Sequence, residues 1–426
     1  MAAAIFTLSF FGLLALGTPI FVVLGFSAMA ALLIEGEPLI GVAQGIVDVL
    51  NSSTIMAIPF FVMAATLMQE GGVSRALIAA ASTWVRWVPG GLGIVCVAAT
   101  TVFAAICGSS TATALAMGVV LIPAMLERNY ERPFAIGVVG GSGTLGILIP
   151  PSLAMIVYAI VADESVPRLF LAGVIPGLLQ ALIFAIYVVI YTRRKNYPKE
   201  PPVTGSEFLR TNLYALPALS LPVIVLGGIY GGLATVTEAA ALSAVVALVL
   251  SLFFYRQTGA GDILPQLARS MRSAATIMIV IGTAIVFGHW ITKSGVAAWL
   301  VDTVTHWQLA SWQFLLIVNI TLLILGMFLE VISLMLITLP LILPLLGPLG
   351  IDPVHFAVVV VINMELAVLT PPVGLNLYVL SSISRAGIAE VVRGISPFIV
   401  LLLGLLLVVT YVPSLSLYLP NLVYGG

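Results

Sequence analysis

The chain has 426 residues, of which 61% are hydrophobic and only 8% charged, and its mean hydropathy is +1.21. Soluble globular domains carry about 25% charged residues, so this composition belongs to a chain that faces lipid. Sixteen basic and seventeen acidic residues nearly cancel, which argues against a nucleic-acid partner. Cys96 and Cys107 both lie in apolar segments, so no disulfide framework or zinc set is available. The lysines Lys195, Lys199 and Lys293 fall outside any GxxxxGK[ST] loop, which removes the usual machinery of ATP hydrolysis.

In chain order, the N-terminus lacks the basic start of a signal peptide. Its apolar stretch outruns an h-region, so it reads as a retained first span. Apolar runs long enough to cross occur near 3–34, 40–68, 168–192, 211–231, 235–255, 274–292 and 395–418. The polar break 192–212 holds five of the sixteen basic residues. The positive-inside rule places it, with a loop at 193–209, in the cytoplasm. It also divides the chain into two similar halves. "GGVSRALIAAASTWVRW" (71–87) aligns with "SGVAAWLVDTVTHWQLA" (294–310), pairing Leu77 with Leu300 and Trp84 with Trp307. Both are expected to be amphipathic helices at the membrane interface, where tryptophan prefers to sit.

Beyond each such helix comes an awkward region. In the first half, short apolar runs at 92–106 and 114–126 flank the polar "CGSSTAT" (107–113). In the second, 313–328 and 331–346 flank "LEVIS" (329–333). Each first-half run falls short of the roughly 20 residues that cross a bilayer, so a re-entrant hairpin is expected there. Next come "GILIPPS" (146–152) and "AVLTPPV" (367–373), whose double prolines stand 221 positions apart, as do Pro123 and Pro344. The expected fold is an all-α polytopic membrane protein, one transmembrane domain over 1–426 with two repeats. The first repeat core is 72–160 (hairpin 92–126, broken helix 132–161). The second is 295–384 (hairpin 313–346, broken helix 353–384). Such internal repeats mark secondary transporters, with binding sites at the repeat interface.

Proline removes the N–H that would bond the carbonyl four residues earlier. Pro150 and Pro151 therefore free the carbonyls of Gly146 and Ile147, and Pro371 and Pro372 those of Ala367 and Val368. Orphan carbonyls in lipid cost several kcal/mol each, and a small hard cation satisfies them. The plainer reading is two ordinary kinks relieved by hydroxyls or water. Two matched pairs, each behind a hairpin, favour a working site. Ser109, Ser110, Thr111 and Thr113 at the first tip are oxygen donors to the first break, or small packing residues. Thr370 precedes the second pair where Ile149 precedes the first.

"AIPFFVMAATLM" (57–68), "CGSSTATA" (107–114), "GILIPPS", "TEAAA" (237–241), "GMFLE" (326–330) and "NMELAVLTPPVGLNLYV" (363–379) together resemble the large membrane subunit of TRAP (tripartite ATP-independent periplasmic) transporters, within the ion-transporter superfamily. The resemblance covers nearly the whole chain. It implies an elevator transporter in a bacterial or archaeal inner membrane, importing organic anions such as C4-dicarboxylates or sialic acids on a sodium gradient. A periplasmic binding protein (P-type) would deliver the substrate, and a small membrane subunit (Q-type) would brace the large one as a separate chain. No cofactor is implied beyond Na+ as the coupling ion.

Residue by residue, the resemblance assigns one sodium site to Cys107, Ser110, Gly146, Ile149 and Pro151, and a second to Ala367, Thr370 and Val373. The family often has serine where Cys107 stands and glycine where Ala367 stands. Backbone ligation survives either change.

Ser109, Thr111, Thr113, Ser152, Asn363 and Asn376 are polar candidates for substrate or hairpin contacts. Intramembrane carboxylates are functional candidates by default. Glu238 opens "TEAAA" and is expected to stabilise a helix N-terminus. Glu330 either braces the second hairpin or lines the cavity, and Glu365 either strengthens an ion site or carries a proton. His289, His306 and His355 have no metal-ligand spacing and read as interfacial or packing residues. Elevator transport predicts that 92–160 and 313–384 move together, with the interfacial helices as hinges.

Two other classes share single features. An ion channel also uses re-entrant hairpins and freed carbonyls. An intramembrane protease is suggested by "GGSG" (140–143), with Ser142 and His289, or by "GAGD" (259–262). Both protease motifs are weak in a chain holding 39 glycines.

Overall fold

The computed structural model describes residues 2–88, 90–197 and 201–425. Among them are twenty α-helices and no strand. The first apolar run is not one span but a pair, α1 (Ala2–Ala15) and α2 (Ile20–Ile34). Pro19 heads α2, and proline biases the residue before it away from the helical region. The run 40–68 likewise divides into α3 (Leu39–Leu50) and α4 (Ser53–Glu70), where Ser52 accepts the Ile55 N–H and caps α4. Next, α5 (Val73–Val85) starts from Gly72 at φ +85°.

The first hairpin is α6 (Gly91–Cys107) and α7 (Ser110–Glu127). Only Gly108 and Ser109 stay outside the helices, so the polar run is shorter as a turn than its composition suggests. Thr111 and Thr113 lie inside α7 because Ser109 caps it, accepting the Ala112 N–H. With this extra length α7 alone is long and apolar enough to cross a membrane. The first broken helix is α8 (Arg132–Thr144), a 3-10 turn (Leu145–Ile147), then α9 (Leu153–Ala162). A long α10 (Val166–Arg194) ends the first half.

α11 (Gly205–Tyr230) starts inside the expected 193–209 loop, whose residues 198–200, Lys199 among them, lie outside the described residues. There follow α12 (Val236–Val249, with a π turn Leu250–Phe254), α13 (Ala260–Lys293) and α14 (Val296–His306). α14 repeats the start of α5, from Gly295 at φ +73°. Trp84 and Trp307, paired by sequence, are 61% and 68% exposed, as side chains at a membrane interface would be. The second hairpin is α15 (Ser311–Gly326) and α16 (Val331–Leu346), and the second broken helix is α17 (Pro353–Ala367) and α18 (Leu375–Ser384). α19 (Ile388–Tyr411) and α20 (Ser414–Tyr424) close the chain.

Packing sorts these helices into two groups. α1–α4 and α11–α13 pack largely among themselves, with α4 on α12 and α13 on α2, while α5 lies between α11 and α6 and α14 between α13 and α16. The hairpins and broken helices pack with α10, α19 and α20. The inner halves of the broken helices form the centre, since α17 is buried from Val354 to Ala367 and α8 from Phe134 to Thr144. Apolar residues all round a helix are the mark of such a position. α8 and α19 touch backbone to backbone: a β-carbon on Gly137 would lie 2.0 Å from Gly394 O, and one on Gly394 2.0 Å from Pro133 O.

Candidate functional site

The first break is closed. Residues 147–153 are all buried, and the first hairpin tip is bonded to it by the Leu153 N–H donating to Gly108 O at 3.3 Å. At Gly146 the fit leaves no room for a side chain, because a β-carbon would meet Ser109 O at 2.5 Å and Thr113 Oγ1 at 2.6 Å. Thr113 Oγ1 is buried there without a hydrogen-bond partner. A backbone carbonyl and an unpartnered hydroxyl thus converge beside the residue whose own carbonyl Pro150 leaves without a helical donor. Cys107 and Ser110 are buried at the same tip, and Ile149 and Pro151 in the break.

The second break repeats the tip-to-break bond and changes its setting. The Gly374 N–H donates to Met327 O of the second hairpin at 3.1 Å. Pro371, Pro372 and Val373 are exposed, whereas Ala367 is buried and Thr370 half-buried. The Thr370 hydroxyl donates to Leu366 O at 2.6 Å.

Freed carbonyls are fewer than proline chemistry alone predicts. Ile147 O accepts from Ser152 Oγ at 2.5 Å, Ala367 O from the Thr370 N–H at 3.1 Å and Val368 O from the Asn376 N–H at 3.1 Å. Once the helix breaks, the chain turns back and supplies new donors, as buried carbonyls require. Each keeps a second lone pair for a ligand.

Other candidates sort by contact. Ser152 caps α9 as well as bonding Ile147, so it builds the break itself. Thr111 Oγ1 donates to Asn376 Oδ1 at 3.0 Å, joining the first hairpin to the second broken helix. Asn363 Nδ2 donates to Asn319 Oδ1 at 2.9 Å and braces the second hairpin. Glu238 forms a capping box with Thr235 on the exposed start of α12. Glu330 caps α16, its Oε2 accepting the N–H groups of Ile332 and Ser333, and it also lines the cavity. Glu365 is fully buried, its Oε2 3.3 Å from Thr144 Oγ1.

All four pieces meet at a cavity of about 400 Å³. Its walls are both hairpin tips (Gly108–Thr111 and 330–333), both breaks (Ile147, Leu153, Val368, Leu375), and Ile20, Phe21, Thr276 and Val280 from α2 and α13. No lysine, arginine or histidine lines it. The α2 and α13 wall was not read from the sequence; the one available signal was Thr276, a hydroxyl within an apolar run. Gln180, alone among apolar residues of α10, was missed in the same way. Its Nε2 donates to Thr144 Oγ1 at 2.9 Å in the buried core.

The protease readings fail on geometry. Ser142 is fully buried without a partner, whereas His289 is exposed on α13. Asp262 of "GAGD" caps α13, accepting the Gly259 N–H at 2.9 Å. His355 bridges Ser416 Oγ and Thr410 O at 3.3 Å each, as a packing residue does.

The family described as "Tripartite ATP-independent periplasmic transporter, DctM component" matches residues 7–415. The chain is 41% identical to the C4-dicarboxylate TRAP transporter large permease protein DctM of Pseudomonas aeruginosa, over 92% of each chain. It is 32% identical to the sialic acid TRAP transporter large permease protein SiaM of Vibrio cholerae, over 97% of each. It is also 36% identical to the isethionate TRAP transporter permease protein DctMQ of Oleidesulfovibrio alaskensis, covering 95% of this chain and 64% of that one. Among solved structures, the Alcanivorax borkumensis YdaH transporter superposes with a TM-score of 0.62 over 89% of this chain and 88% of its own, at 16% identity.

Proposed function

The chain belongs to the DctM component family of tripartite ATP-independent periplasmic transporters, and from that membership we propose that it is the large subunit of a sodium-coupled importer of a small organic anion. It is thus a multi-pass transporter component, not an enzyme, and the channel and protease readings lapse. The proposed substrate class follows its relatives: a C4-dicarboxylate, a sialic acid or a related acid. A small Q-type subunit and a periplasmic P-type binding protein complete the proposed assembly, set in the cytoplasmic membrane.

The observation that carries this reading is the cavity where two hairpin tips meet two breaks. Sodium fits the first break through the oxygens converging on Gly146 and the tip residues Cys107 and Ser110, with Ile149 and Pro151. A second ion fits at Ala367, Thr370 and Val373. With no cation lining the cavity, the substrate carboxylate meets helix N-termini. Glu330 already fills the α16 terminus with a carboxylate. The α7 terminus, capped by the neutral Ser109, remains for the substrate.

For transport, the hairpins and broken helices move as an elevator against α1–α5 and α11–α14, with α5 and α14 as hinges. The backbone contact of Gly137 with Gly394 ties α19 to that moving body, which enlarges the sequence-based boundaries of 92–160 and 313–384.

Thermal unfolding of the purified chain in sodium, potassium or choline at one ionic strength tests the coupling ion. A ligand bound only by the folded state raises stability by RT ln(1 + [L]/Kd). A sodium-specific rise is expected, and equal midpoints in the three salts would count against it.

A further inference from the structure

The cavity has no cation on its walls, but α13 carries one just beyond them. α13 is long and apolar enough to cross a membrane, and its first half exposes two kinds of surface. Asp262, Arg269, Arg272, Ser273 and Thr276 are exposed and fall within about 100° of helical arc. Leu264, Ala268, Met271, Ala275 and Ile279 are exposed on the adjoining arc of about 80°. The apolar arc suits lipid. The polar arc ends at Thr276 in the cavity wall. Arg272 lies one turn, about 6 Å, from Thr276, whose hydroxyl donates to Arg272 O at 3.0 Å. The Arg272 guanidinium has no hydrogen bond or ion pair among the described residues. A charge without a partner is costly against hydrocarbon, so this arc faces water.

A second strip leaves the cavity along α18. Leu375 of the cavity wall, Tyr378 and Ser382 are exposed at i, i+3 and i+7, and the helix ends at Arg385, also exposed and unpaired. Both strips run to one end of the molecule. α10 to α13 are consecutive spans, so α13 begins at the end where α10 finishes, beside Lys195. α18 finishes there too, because Arg132, next to the Glu131–Lys195 pair, donates to Ser384 O. The positive-inside rule makes this the cytoplasmic end.

We propose that the cavity empties through a water-filled vestibule along these strips, and that Arg272, with Arg385, draws the anionic substrate out of it into the cytoplasm. The substrate's charge rests on the organic-anion reading above. A cleft lined by one sign of charge concentrates the opposite ion. Along α13 Arg272 is the charge left free, because Arg269 pairs with Glu70 at 2.6 Å and Asp262 caps the helix start. The carboxylate on the cavity wall, Glu330, is engaged in the α16 cap.

Thiol labelling of the full chain in liposomes tests the vestibule without substrate or sodium. Ser273→Cys places a thiol on the polar arc and Ala275→Cys one on the apolar arc. The parent chain, whose Cys96 and Cys107 are buried, gives the background. The probes are a sulfonate-bearing and a trimethylammonium-bearing methanethiosulfonate. Both should label position 273 and spare position 275. Equal labelling of the two positions, or none at 273, would overturn the vestibule. Arg272→Gln should lower the sulfonate-to-ammonium rate ratio at 273 by about tenfold, Arg385→Gln by less, and Arg272→Lys should keep it. Raising salt to about 1 M should shrink the ratio with Arg272 in place, which carries the test if Arg272→Gln does not fold. A ratio indifferent to that variant or to salt would overturn the role of the arginine. With no substrate present, either failure leaves the importer reading to its own sodium test.

Discussion

The two double prolines sit in the same place in each half and have opposite surroundings. The first is sealed: residues 147–153 are buried and Gly146 is pressed between Ser109 O and Thr113 Oγ1. The second is open, with Pro371, Pro372 and Val373 exposed. In both, one backbone N–H of the break holds the facing hairpin tip, Leu153 to Gly108 and Gly374 to Met327. The repeat thus preserves how hairpin and helix are joined and lets solvent access diverge. A cation at the proposed first site would be stripped more completely of water than one at the proposed second, so the first should depend more on exact backbone geometry.

The sharpest way to break this comparison is Gly146→Ala. A methyl group there overlaps two oxygens, and overpacking costs about 1–3 kcal/mol. We expect that loss of stability together with disappearance of most sodium-specific stabilisation in thermal unfolding. An alanine variant with normal sodium response would mean that the first break is only a kink. Ser152→Ala should come next. It removes a cap on α9 and strands Ile147 O, a loss of about 1–2 kcal/mol, readable as a lower midpoint in every salt alike.

Thr370→Ala should be milder. Its hydroxyl only back-bonds to Leu366 O on a half-buried turn, so stability should change by under about 1 kcal/mol. Sodium-specific stabilisation should shrink without vanishing, since the backbone oxygens and the first site remain. Full sodium response in this variant would take the threonine out of the second site.

How these differences could be foreseen depends on which residues carry them. The helix breaks and the matched helix starts were legible because proline and glycine act locally: Pro150 and Pro371 interrupt a helix wherever they stand, and Gly72 and Gly295 can take the positive φ from which α5 and α14 begin. The fates of the carbonyls were not legible. Whether Ile147 O goes to a ligand or to Ser152 depends on how the chain turns after the break, which no periodicity encodes. The division of the first apolar run into α1 and α2 was readable in Thr18–Pro19 and was outweighed by hydropathy. Gln180 and Thr144 look unremarkable one by one; only the crossing of α8, α10 and α17 makes them a cluster with Glu365.

The outer ends of the broken helices extend the comparison to an effect smaller still. Before α17, Asp352 caps its own helix, accepting the N–H groups of Val354 and His355. Before α8, Glu131 reaches instead to α10, pairing with Lys195 Nζ at 2.8 Å and accepting from the Tyr191 hydroxyl at 2.8 Å. The Lys195 ammonium, and then the Tyr191 hydroxyl, hold the Glu131 carboxyl below its ordinary value of 4.5. A carboxyl lowered on folding stabilises the fold above its unfolded value, and the contribution fades as pH falls through the lower folded value. Acid should therefore loosen the α8–α10 junction, by little, because both partners are exposed and solvent screens them. Lys195→Met should remove most of that acid sensitivity while leaving the neutral-pH midpoint nearly unchanged. Hydrogen exchange at the start of α8, followed from neutral pH to below 4.5, would read it directly. Equal acid-induced exchange in variant and wild type would mean that the outer end of the first broken helix is held by packing and not by the Glu131–Lys195 pair.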